Sequence, residues 1–340
     1  MSTVGGSFTE TELLQHRVIA SNILFDDRIK QQFIPQFDIL KGIQAVQTAT
    51  INADFKRKKK YDVEVMWENF CDIEAEACSD SCTLGGNKSS TNTETYTLSC
   101  FKEVGFTMSE NDFIDNEFEI NIAKALLTAD KRLVEAYAQY AVAQLEAFRG
   151  TNAMGSSGKG TVVGADTNIN PSYWNPSLFA YLNRVGIMNR FTNPILISGN
   201  NLYESYYLAQ ANAGNSNGKG DHALFGTMPI YFDLFNIDTV NDPAFKTYML
   251  SMGSLAMVSK AFNPIVPETT FDNTRYTMRS NFMPSLVYDV WYNNKCESSA
   301  SRLVEHNWTI RLTADIYNNP QGCETGDTGI LSFACSSVTS

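Results

Sequence analysis

Two segments in which every second side chain is apolar or aromatic constrain the fold of this chain more than any other feature. The first is YDVEVMWE, residues 61–68, and the second is TYTLSCF, residues 95–101. The positions concerned are Tyr61, Val63, Val65 and Trp67 in the first segment, and Tyr96, Leu98 and Cys100 in the second. A period of two is that of a strand with one buried face. Because a small-polar stretch with Gly85, Gly86 and Asn87 separates the segments, we predict a long two-stranded hairpin.

The predicted hairpin is too thin to be stable by itself. Arms of about ten residues would reach roughly 35 Å from their root, and an isolated two-stranded hairpin is only marginally stable in water. Its striped face therefore needs a surface to lie on. That surface belongs either to the same chain or to a neighbouring subunit, and the sequence leaves both alternatives open.

The charge changes sign at the start of the hairpin. A basic run, Lys56 to Lys60, comes directly before residues 61–80, which hold seven acidic residues and no basic one. One interpretation is a solvated strand edge whose charges block unwanted pairing. The other is that a cationic root and an anionic arm dock onto complementary patches of neighbours, since surface charge guides the choice of partner.

The segment after the hairpin predicts a long helix over 115–149. Ser109 followed by Asp112 is a cap signal, and Arg149 followed by Gly150 is a stop signal. Apolar residues recur between them at helical spacing: Leu126, Leu133, Tyr137, Tyr140, Ala141, Leu145 and Phe148. Such a helix would be about 50 Å long.

The rest of the chain alternates between helical and strand patterns. We predict helices over 175–190, 200–210 and 242–262, strands over 193–198 and around 228–237, and further strands in SLVYDVWY, NWTIRLTADIY and GILSFAC. Residues 1–50 open with a capping-box helix start at Thr9 and Glu12. They form either an arm that lies against another surface or an ordinary first helix and strand of a core.

Composition places the chain among ordered globular proteins. It has 340 residues, 43% of them hydrophobic, which is enough to bury a substantial core. The net charge of −11 argues against a basic nucleic-acid sleeve. The sequence shows no signal peptide and no continuous apolar stretch of about 18 residues, so we expect a soluble protein made in the cytosol.

The seven cysteines do not follow a metal-binding pattern. They are Cys71, Cys78, Cys82, Cys100, Cys296, Cys323 and Cys335. Their spacing lacks the paired C-x-x-C knuckles of zinc ribbons and fingers. We expect free thiols, with late-forming disulfides and zinc as the alternatives.

The stretch GSSGKGT, residues 155–161, looks like a phosphate-binding loop but lacks its essential parts. Ala153 stands where the first glycine of such a loop belongs, and Gly160 follows Lys159 in place of serine or threonine. No helix is predicted behind it to aim N–H groups at a phosphate. A second cluster, NSNGKGD at 215–221, fails in the same way. We expect both to be surface loops.

No catalytic constellation is visible in the sequence. The three histidines, His16, His222 and His306, form neither HExxH nor HxH, and there is no G-x-S-x-G elbow. We therefore predict no catalytic residue, no cofactor, no bound metal and no enzymatic activity.

The order of these elements resembles the major capsid proteins of tailed bacteriophages of the Hong Kong 97 type. An N-terminal arm, a long two-stranded loop, a capped helix after VGFTMSENDF, a glycine loop, an α/β lobe and a strand-rich return to TGILSFAC follow one another. FTNPILISGNNLYESYYLAQ followed by ALFGTMPIYFD looks like the apical domain of that family. The resemblance covers residues 30–340 and rests on element order rather than on invariant residues.

The resemblance implies an α+β fold of the Hong Kong 97 type with a defined division of the chain. The implied segments are an N-terminal arm (1–55), an extended β-hairpin loop (56–108), a peripheral domain with the spine helix (109–159), an apical α/β domain (160–270) and the return strands of the peripheral domain with the C-terminus (271–340).

The implied function is that of a major capsid protein that self-assembles into the icosahedral head shell around phage DNA. Its partners would be identical subunits in pentamers and hexamers, other head proteins such as portal, scaffold or decoration proteins, and packaged DNA only non-specifically, with no membrane. It would lie in the virion after assembly in the host cytoplasm. The candidate inter-subunit contacts are Lys56, Arg57, Lys58, Lys59, Lys60, Tyr61, Val63, Val65, Trp67, Tyr96 and Leu98.

Two other classes remain open at the level of sequence. The helix and strand alternation over 175–240 suits a soluble α/β enzyme of unknown chemistry, although no catalytic set accompanies it. Another virion protein, such as a double jelly roll or a tail protein, is the second alternative. The long predicted helix counts against a jelly roll.

Overall fold

A computed structural model gives the architecture of most of the chain. It describes residues 34–52, 61–69, 90–109, 118–156, 158–203, 205–207, 228–240, 246–270, 273–296, 304–320 and 328–335.

The described residues contain both helices and strands, in agreement with the predicted α+β class. The helices are α1 (Asp38–Val46), α2 (Phe118–Phe148), α3 (Leu178–Met188) and α4 (Leu234–Val240), with a 3-10 turn at Pro171–Tyr173 and further helical residues at 200–203 and 205–207. The strands are β1 (Thr50–Asn52), β2 (Asp62–Asn69), β3 (Ser90–Thr97), β4 (Cys100–Ser109), β5 (Gly160–Val163), β6 (Asp166–Ile169), β7 (Ile195–Ser198), β8 (Ile230–Phe232), β9 (Lys246–Leu250), β10 (Leu255–Ser259), β11 (Glu268–Thr270), β12 (Asn273–Arg279), β13 (Val287–Cys296), β14 (Val304–Asn318) and β15 (Ile330–Cys335).

The predicted hairpin is present as β2 and β3, which pair antiparallel along their whole length. β1 adds a third strand by pairing with the middle of β2. Val63, Val65 and Trp67 lie on one face of β2 and are buried, whereas the residues between them are partly exposed. The alternation with a period of two is therefore confirmed.

The largest sheet is built around the long strand β14. Its strand order is β10-β14-β13-β12-β11, and β4 also pairs with β14. β14 has two successive partners on one side, because residues 305–313 pair with β4 and residues 314–318 pair with β10. One face of this sheet contributes to the main core with Tyr276, Tyr288, Val290, Tyr292, Trp308, Ile310 and Leu312.

The long helix is confirmed as α2, which spans 31 residues. At 1.5 Å per residue it is about 46 Å long. Leu126, Leu133 and Tyr137 are buried in the main core, and the Tyr137 ring lies 5.3 Å from the ring of Phe101 on β4. The predicted cap at Asp112 lies outside the described residues.

The third sheet forms the α/β lobe, with strand order β5-β6-β15-β9-β7-β8. Both of its faces are covered. Leu196 and Met249 pack with α3, whereas Ile197 and Tyr248 join the main core with α1 and α2. Strands covered on both faces lack a polar face, which explains the continuous apolar runs in this part of the sequence.

The helix predicted over 242–262 is wrong. Residues 246–250 and 255–259 form β9 and β10, and Gly253 adopts a φ of +80° in the turn between them. All five residues of β9 are buried, the polar Lys246 and Thr247 included, so the strand has no exposed face that would show a period of two. This connection takes the chain from the lobe sheet to the large sheet.

Two further boundaries differ from the predictions. The strand expected over 228–237 ends at Phe232, and α4 begins at Leu234 because the Asp233 carboxylate accepts the Asn236 N–H at 3.0 Å. α3 begins at Leu178 rather than next to Asn175, whose side-chain oxygen accepts the Ser177 N–H in the preceding turn.

The first described segment is part of the core. α1 buries Ile39, Leu40 and Ile43 in the main core, and β1 pairs with the hairpin. Residues 37–52 thus follow the second of the two interpretations, a first helix and strand of the core. Residues 1–33 lie outside the described part of the chain.

Candidate functional site

The hairpin root, defined as residues 61–69 and 90–98, is the part of the predicted contact surface that the structure describes. Its inner face packs on β10 of the same chain. Val63, Val65 and Trp67 are no more than 1% exposed and share a core cluster with Ala256 and Val258. The support that the root needs is therefore supplied by its own subunit.

The polar groups of the inner face are paired with one another. The Trp67 Nε1–H donates to Tyr96 Oη at 3.3 Å, and the Tyr96 hydroxyl donates to Glu94 at 2.6 Å. The Tyr96 ring stacks on Tyr317 of β14 with centroids 3.9 Å apart. Burial, together with the bond to Glu94, raises the pKa of Tyr96 to about 12.

Three contacts hold the base of the hairpin. The Leu98 N–H donates to the Tyr61 carbonyl at 2.7 Å and closes the hairpin. Lys260 Nζ donates to the Asp62 carbonyl at 2.9 Å, and the Tyr61 ring lies 4.7 Å from the ring of Phe262. The base is thereby tied to the loop that follows β10.

The predicted contact residues separate into three groups. Four of them are at most 2% exposed: Val63, Val65, Trp67 and Leu98. They belong to the core of the subunit and cannot contact a neighbour, contrary to the prediction. Tyr61 is 45% exposed, and Tyr96 is half-buried. Lys56, Arg57, Lys58, Lys59 and Lys60 lie outside the described residues.

The outer face of the hairpin root is acidic and polar. Asp62, Glu64 and Met66 of β2 are partly exposed, and the paired strand β3 presents exposed threonines beside them. The Thr97 hydroxyl donates to Asp62 at 2.7 Å. The Asn52 side chain of β1 donates to Glu64 at 3.4 Å.

The outward stripe of α2 has the opposite charge. Its exposed residues are Lys124, Thr128, Arg132, Gln139, Ala143 and Ala147. Lys131 lies beside the stripe and is 3.8 Å from Glu135. The first half of the helix therefore presents cations to solvent, although the whole chain carries a net charge of −11.

A fully buried carboxylate, Asp130, fixes α2 to the large sheet. One oxygen accepts the hydroxyls of Ser280 and Tyr288, each at 2.7 Å, and the other accepts the Asn281 N–H at 2.7 Å. Burial raises the pKa of Asp130, although these hydrogen bonds act in the opposite direction. We call these four residues the Asp130 cluster.

A charged cluster fixes the other end of α2 to the lobe. Lys246 Nζ of β9 lies 2.8 Å from Glu146 of α2 and 3.5 Å from Asp166 of β6. Arg149 also contacts both carboxylates, at 3.2 Å from Asp166. The Tyr248 hydroxyl bonds to Glu146, and the Ser332 hydroxyl bonds to Asp166. These six residues form what we call the junction cluster.

Sequence reasoning missed both clusters. Lys246 is 100 positions from Glu146, and Asp130 is 150 positions from Ser280. The one available signal was Asp130 itself, an acidic residue between Ala129 and Leu133 on the apolar side of the helix. The sequence does not indicate which residues form hydrogen bonds with Asp130.

The GSSGKGT loop lies between α2 and β5, so a strand and not a helix follows it. Lys159 is engaged within the chain, because it bonds to Ser177 and lies 5.5 Å from the centroid of the Tyr173 ring. The loop therefore lacks the helix N-terminus of a phosphate site. The second cluster, at 215–221, lies outside the described residues.

The described ranges give no indication of a metal site or of a membrane-spanning helix. These ranges hold no group of three His, Cys, Asp or Glu side chains that could bind a metal ion. Among the same residues, no helix is both long and apolar enough to cross a membrane. Cys335 is a free thiol, and the expectations for the other six cysteines stay predictions.

Comparison with known proteins finds similarity to solved capsid structures. No protein-family model and no curated relative matches the chain. It is similar to the capsid of Ralstonia phage GP4, with 9% identity over 83% of this chain and 86% of that chain at a TM-score of 0.43.

Two other solved structures show a similar degree of likeness. The cyanophage Pam1 capsid is 10% identical over 84% of this chain and 87% of that chain, with a TM-score of 0.45. The capsid of an empty GTA particle is 11% identical over 87% of this chain and 90% of that chain, with a TM-score of 0.43. All three are capsids, the class that the element order predicts. TM-scores this low do not support a conclusion about function. The function proposed below therefore rests on the architecture of this chain.

Proposed function

We propose that this chain is the major capsid protein of a tailed bacteriophage and that its copies assemble into the icosahedral head shell around the phage DNA. The observation that supports this most is the hairpin. Its strands pair as far as Asn69 and Ser90, whereas β1 supports β2 only from residue 64 to residue 66. Residues 70–89, the predicted continuation of the hairpin, lie outside the described residues; in this proposal they lie on a neighbouring subunit, because a two-stranded hairpin is only marginally stable without a further surface.

The charge distribution supports the α2 stripe of a neighbour as that surface. The outer face of the root carries Asp62 and Glu64, and residues 61–80 hold seven acidic residues and no basic one. The α2 stripe carries Lys124 and Arg132. Opposite charges on two faces of one chain favour an ordered contact between copies. In this proposal, Lys56 to Lys60 and Tyr61 contact the neighbour beside the arm.

The remaining parts of the proposal follow the element order. The segments 56–108, 109–159, 160–270 and 271–340 serve as extended loop, peripheral domain, apical domain and return strands, and of the segment 1–55 only the part before α1 serves as an arm, since α1 and β1 belong to the core. The subunits form pentamers and hexamers, meet other head proteins such as a portal, and touch DNA non-specifically. The protein is structural rather than enzymatic, and shells assemble in the host cytoplasm before they become virions.

Negative-stain electron microscopy and sedimentation of the purified full-length chain, with and without reductant, test the proposal. We expect rings or shells of very high mass. The double variant Lys124→Glu/Arg132→Glu should lose them, because both positions are exposed on the stripe. Lys41→Glu, which reverses an exposed charge on α1, is the matched control and should assemble. A wild-type chain that stays a monomer at every concentration contradicts the proposal.

A further inference from the structure

Two adjacent apolar side chains at the start of α4 are presented to solvent. Leu234 and Phe235 are 37% and 48% exposed, although the next two residues of the helix are buried. Ile34, the first described residue of the chain, is also apolar and is 44% exposed. We call Ile34, Leu234 and Phe235 the anchor patch. Neighbouring exposed apolar side chains mark a contact surface more often than isolated ones do.

Buried hydrogen bonds hold the start of the described chain against α4. Asp233 Oδ2 accepts a backbone N–H of α1 at 3.1 Å, and the Asn236 amide donates to the Gln36 carbonyl at 2.9 Å. Neither Asp233 nor Asn236 has exposed surface. Ile34 is two residues before Gln36, so their Cα atoms are at most about 7 Å apart. The N-terminal segment, residues 1–33, therefore joins the core at the end of α4 that carries the anchor patch.

One buried polar atom at this place lacks a partner among the described residues. The side-chain oxygen of Asn236 accepts no hydrogen bond from them. Because a buried acceptor without a donor costs stability, we expect a donor from a part of the chain outside the described ranges. Residues 28–32, RIKQQ, hold four side chains that can donate one.

The N-terminal segment contains an apolar stretch that needs a surface of this kind. The stretch is LLQHRVIASNILF, residues 13–25, in which eight of the thirteen residues are apolar. Leu14, Val18 and Phe25 recur at spacings of four and seven, the period of one helix face. With neutral histidine, Arg17 is its one charged residue. These residues lie outside the described part of the chain, and their sequence favours an apolar contact.

We propose that residues 13–25 dock on the anchor patch of their own subunit. Residues 26–33 tether the stretch to Ile34, and eight extended residues span at most about 28 Å. So short a tether gives the stretch an effective concentration of about millimolar at the patch, which favours the same subunit over a second copy. Docking removes the apolar faces of the stretch and of the patch from water. The contact is made within one subunit and does not depend on the proposed shell.

Tryptic digestion of the full-length chain, followed by mass spectrometry, tests the docking through the cleavage after Arg17. Leu234→Asp/Phe235→Asp should raise the initial rate of this cleavage at least about tenfold, because the burial of even one such side chain is worth that factor. Acidic residues in the first turn favour a helix, so α4 stays intact. Leu14→Asp/Phe25→Asp changes the other side of the contact and should raise the rate equally.

The combination of the two pairs shows whether they belong to one contact. If they do, the four substitutions together should give a cleavage rate no higher than that of either pair alone. Ile187→Asp/Met188→Asp is the matched control, because these side chains are 68% and 53% exposed on α3, which packs on the opposite face of the lobe sheet from α1. The control should leave the cleavage after Arg17 unchanged. Circular dichroism should show a folded subunit in every variant.

Three outcomes would overturn the proposal. Cleavage after Arg17 that is as fast in the wild type as in Leu234→Asp/Phe235→Asp would mean that the patch does not hold the stretch. Additive effects of the two pairs would mean that they belong to separate contacts. Protection of the wild type that is lost on dilution would mean that a second copy holds the stretch. Protection that persists on dilution and disappears in both pair variants supports docking within the subunit, whether or not shells form.

Discussion

The long helix is attached to its two sheets in two different ways. At the large sheet, Asp130 has no exposed surface, and the groups that bond to it are neutral donors. At the lobe, Glu146 is 22% exposed and faces the cations of Lys246 and Arg149. A buried carboxylate with neutral donors is insensitive to salt, whereas a water-accessible ion cluster depends on it. The connection to the lobe is therefore the one that added salt can weaken.

Asp130→Ala should have the largest effect. The change leaves the buried hydroxyls of Ser280 and Tyr288 and the Asn281 N–H without an acceptor. We expect the free energy of unfolding to fall by about 3 kcal/mol, measured by urea denaturation of the unassembled subunit. Asp130→Asn keeps one acceptor oxygen and should lose less, about 1 kcal/mol. A loss in Asp130→Ala no larger than that of Asp130→Asn would contradict this account of the cluster.

Lys246→Met should have an intermediate effect. It leaves Glu146 and Asp166 with Arg149 as their shared cation, and we expect a loss of about 1 kcal/mol because the cluster is partly solvated. The loss should shrink in 1 M sodium chloride, where the Debye length is about 3 Å. The cost of Asp130→Ala should stay the same in that salt, and an equal salt response in both variants would remove the distinction between the clusters.

The pH dependence of the Asp130 cluster has a defined sign. Burial raises the pKa of Asp130 above the ordinary value of 3.8, so the folded state holds this proton more tightly than the unfolded state does. The stability that results is fully present below the unfolded pKa and is lost as the pH rises through the folded pKa. Relative to Asp130→Asn, which does not titrate, the wild-type free energy of unfolding should fall as the pH rises from about 4. A flat difference between pH 4 and pH 7 would show that the carboxyl is not shifted.

Lys131→Met should have the smallest effect and sets the baseline for α2. Its nitrogen lies 3.8 Å from Glu135, and both side chains are partly exposed. We expect a change of no more than about 0.5 kcal/mol in the free energy of unfolding, by the same urea measurement. A change as large as that of Lys246→Met would mean that the junction cluster is an ordinary surface pair.

Local patterns predicted the parts of the fold that have one exposed face. The hairpin strands alternate because one face packs on β10 and the other faces water, and α2 shows a helical period because it keeps a polar stripe. β9 has no exposed face, and its residues were taken for part of a helix. The signal that was missed is Gly253, whose positive φ belongs to the turn between β9 and β10.

The candidate site was predictable only in its outline. The alternation identified Val63, Val65 and Trp67 as one face, but it could not tell whether that face packs within the subunit, because the covering strand β10 is far away in the sequence. The exposure of Ile265 and Val266 in the loop between β10 and β11 was also missed. Exposed apolar residues such as Ile265 look the same in a sequence as buried ones.

The hairpin and the large sheet are joined by a very short connection. β3 ends at Thr97 and β4 begins at Cys100, and Leu98 between them is buried with its N–H bonded to Tyr61. β4 pairs in turn with β14 from Cys100 to Ser109. A force on the hairpin that exceeds its packing on β10 is thus transmitted through Leu98 and along β4 into β14, the longest strand of the large sheet.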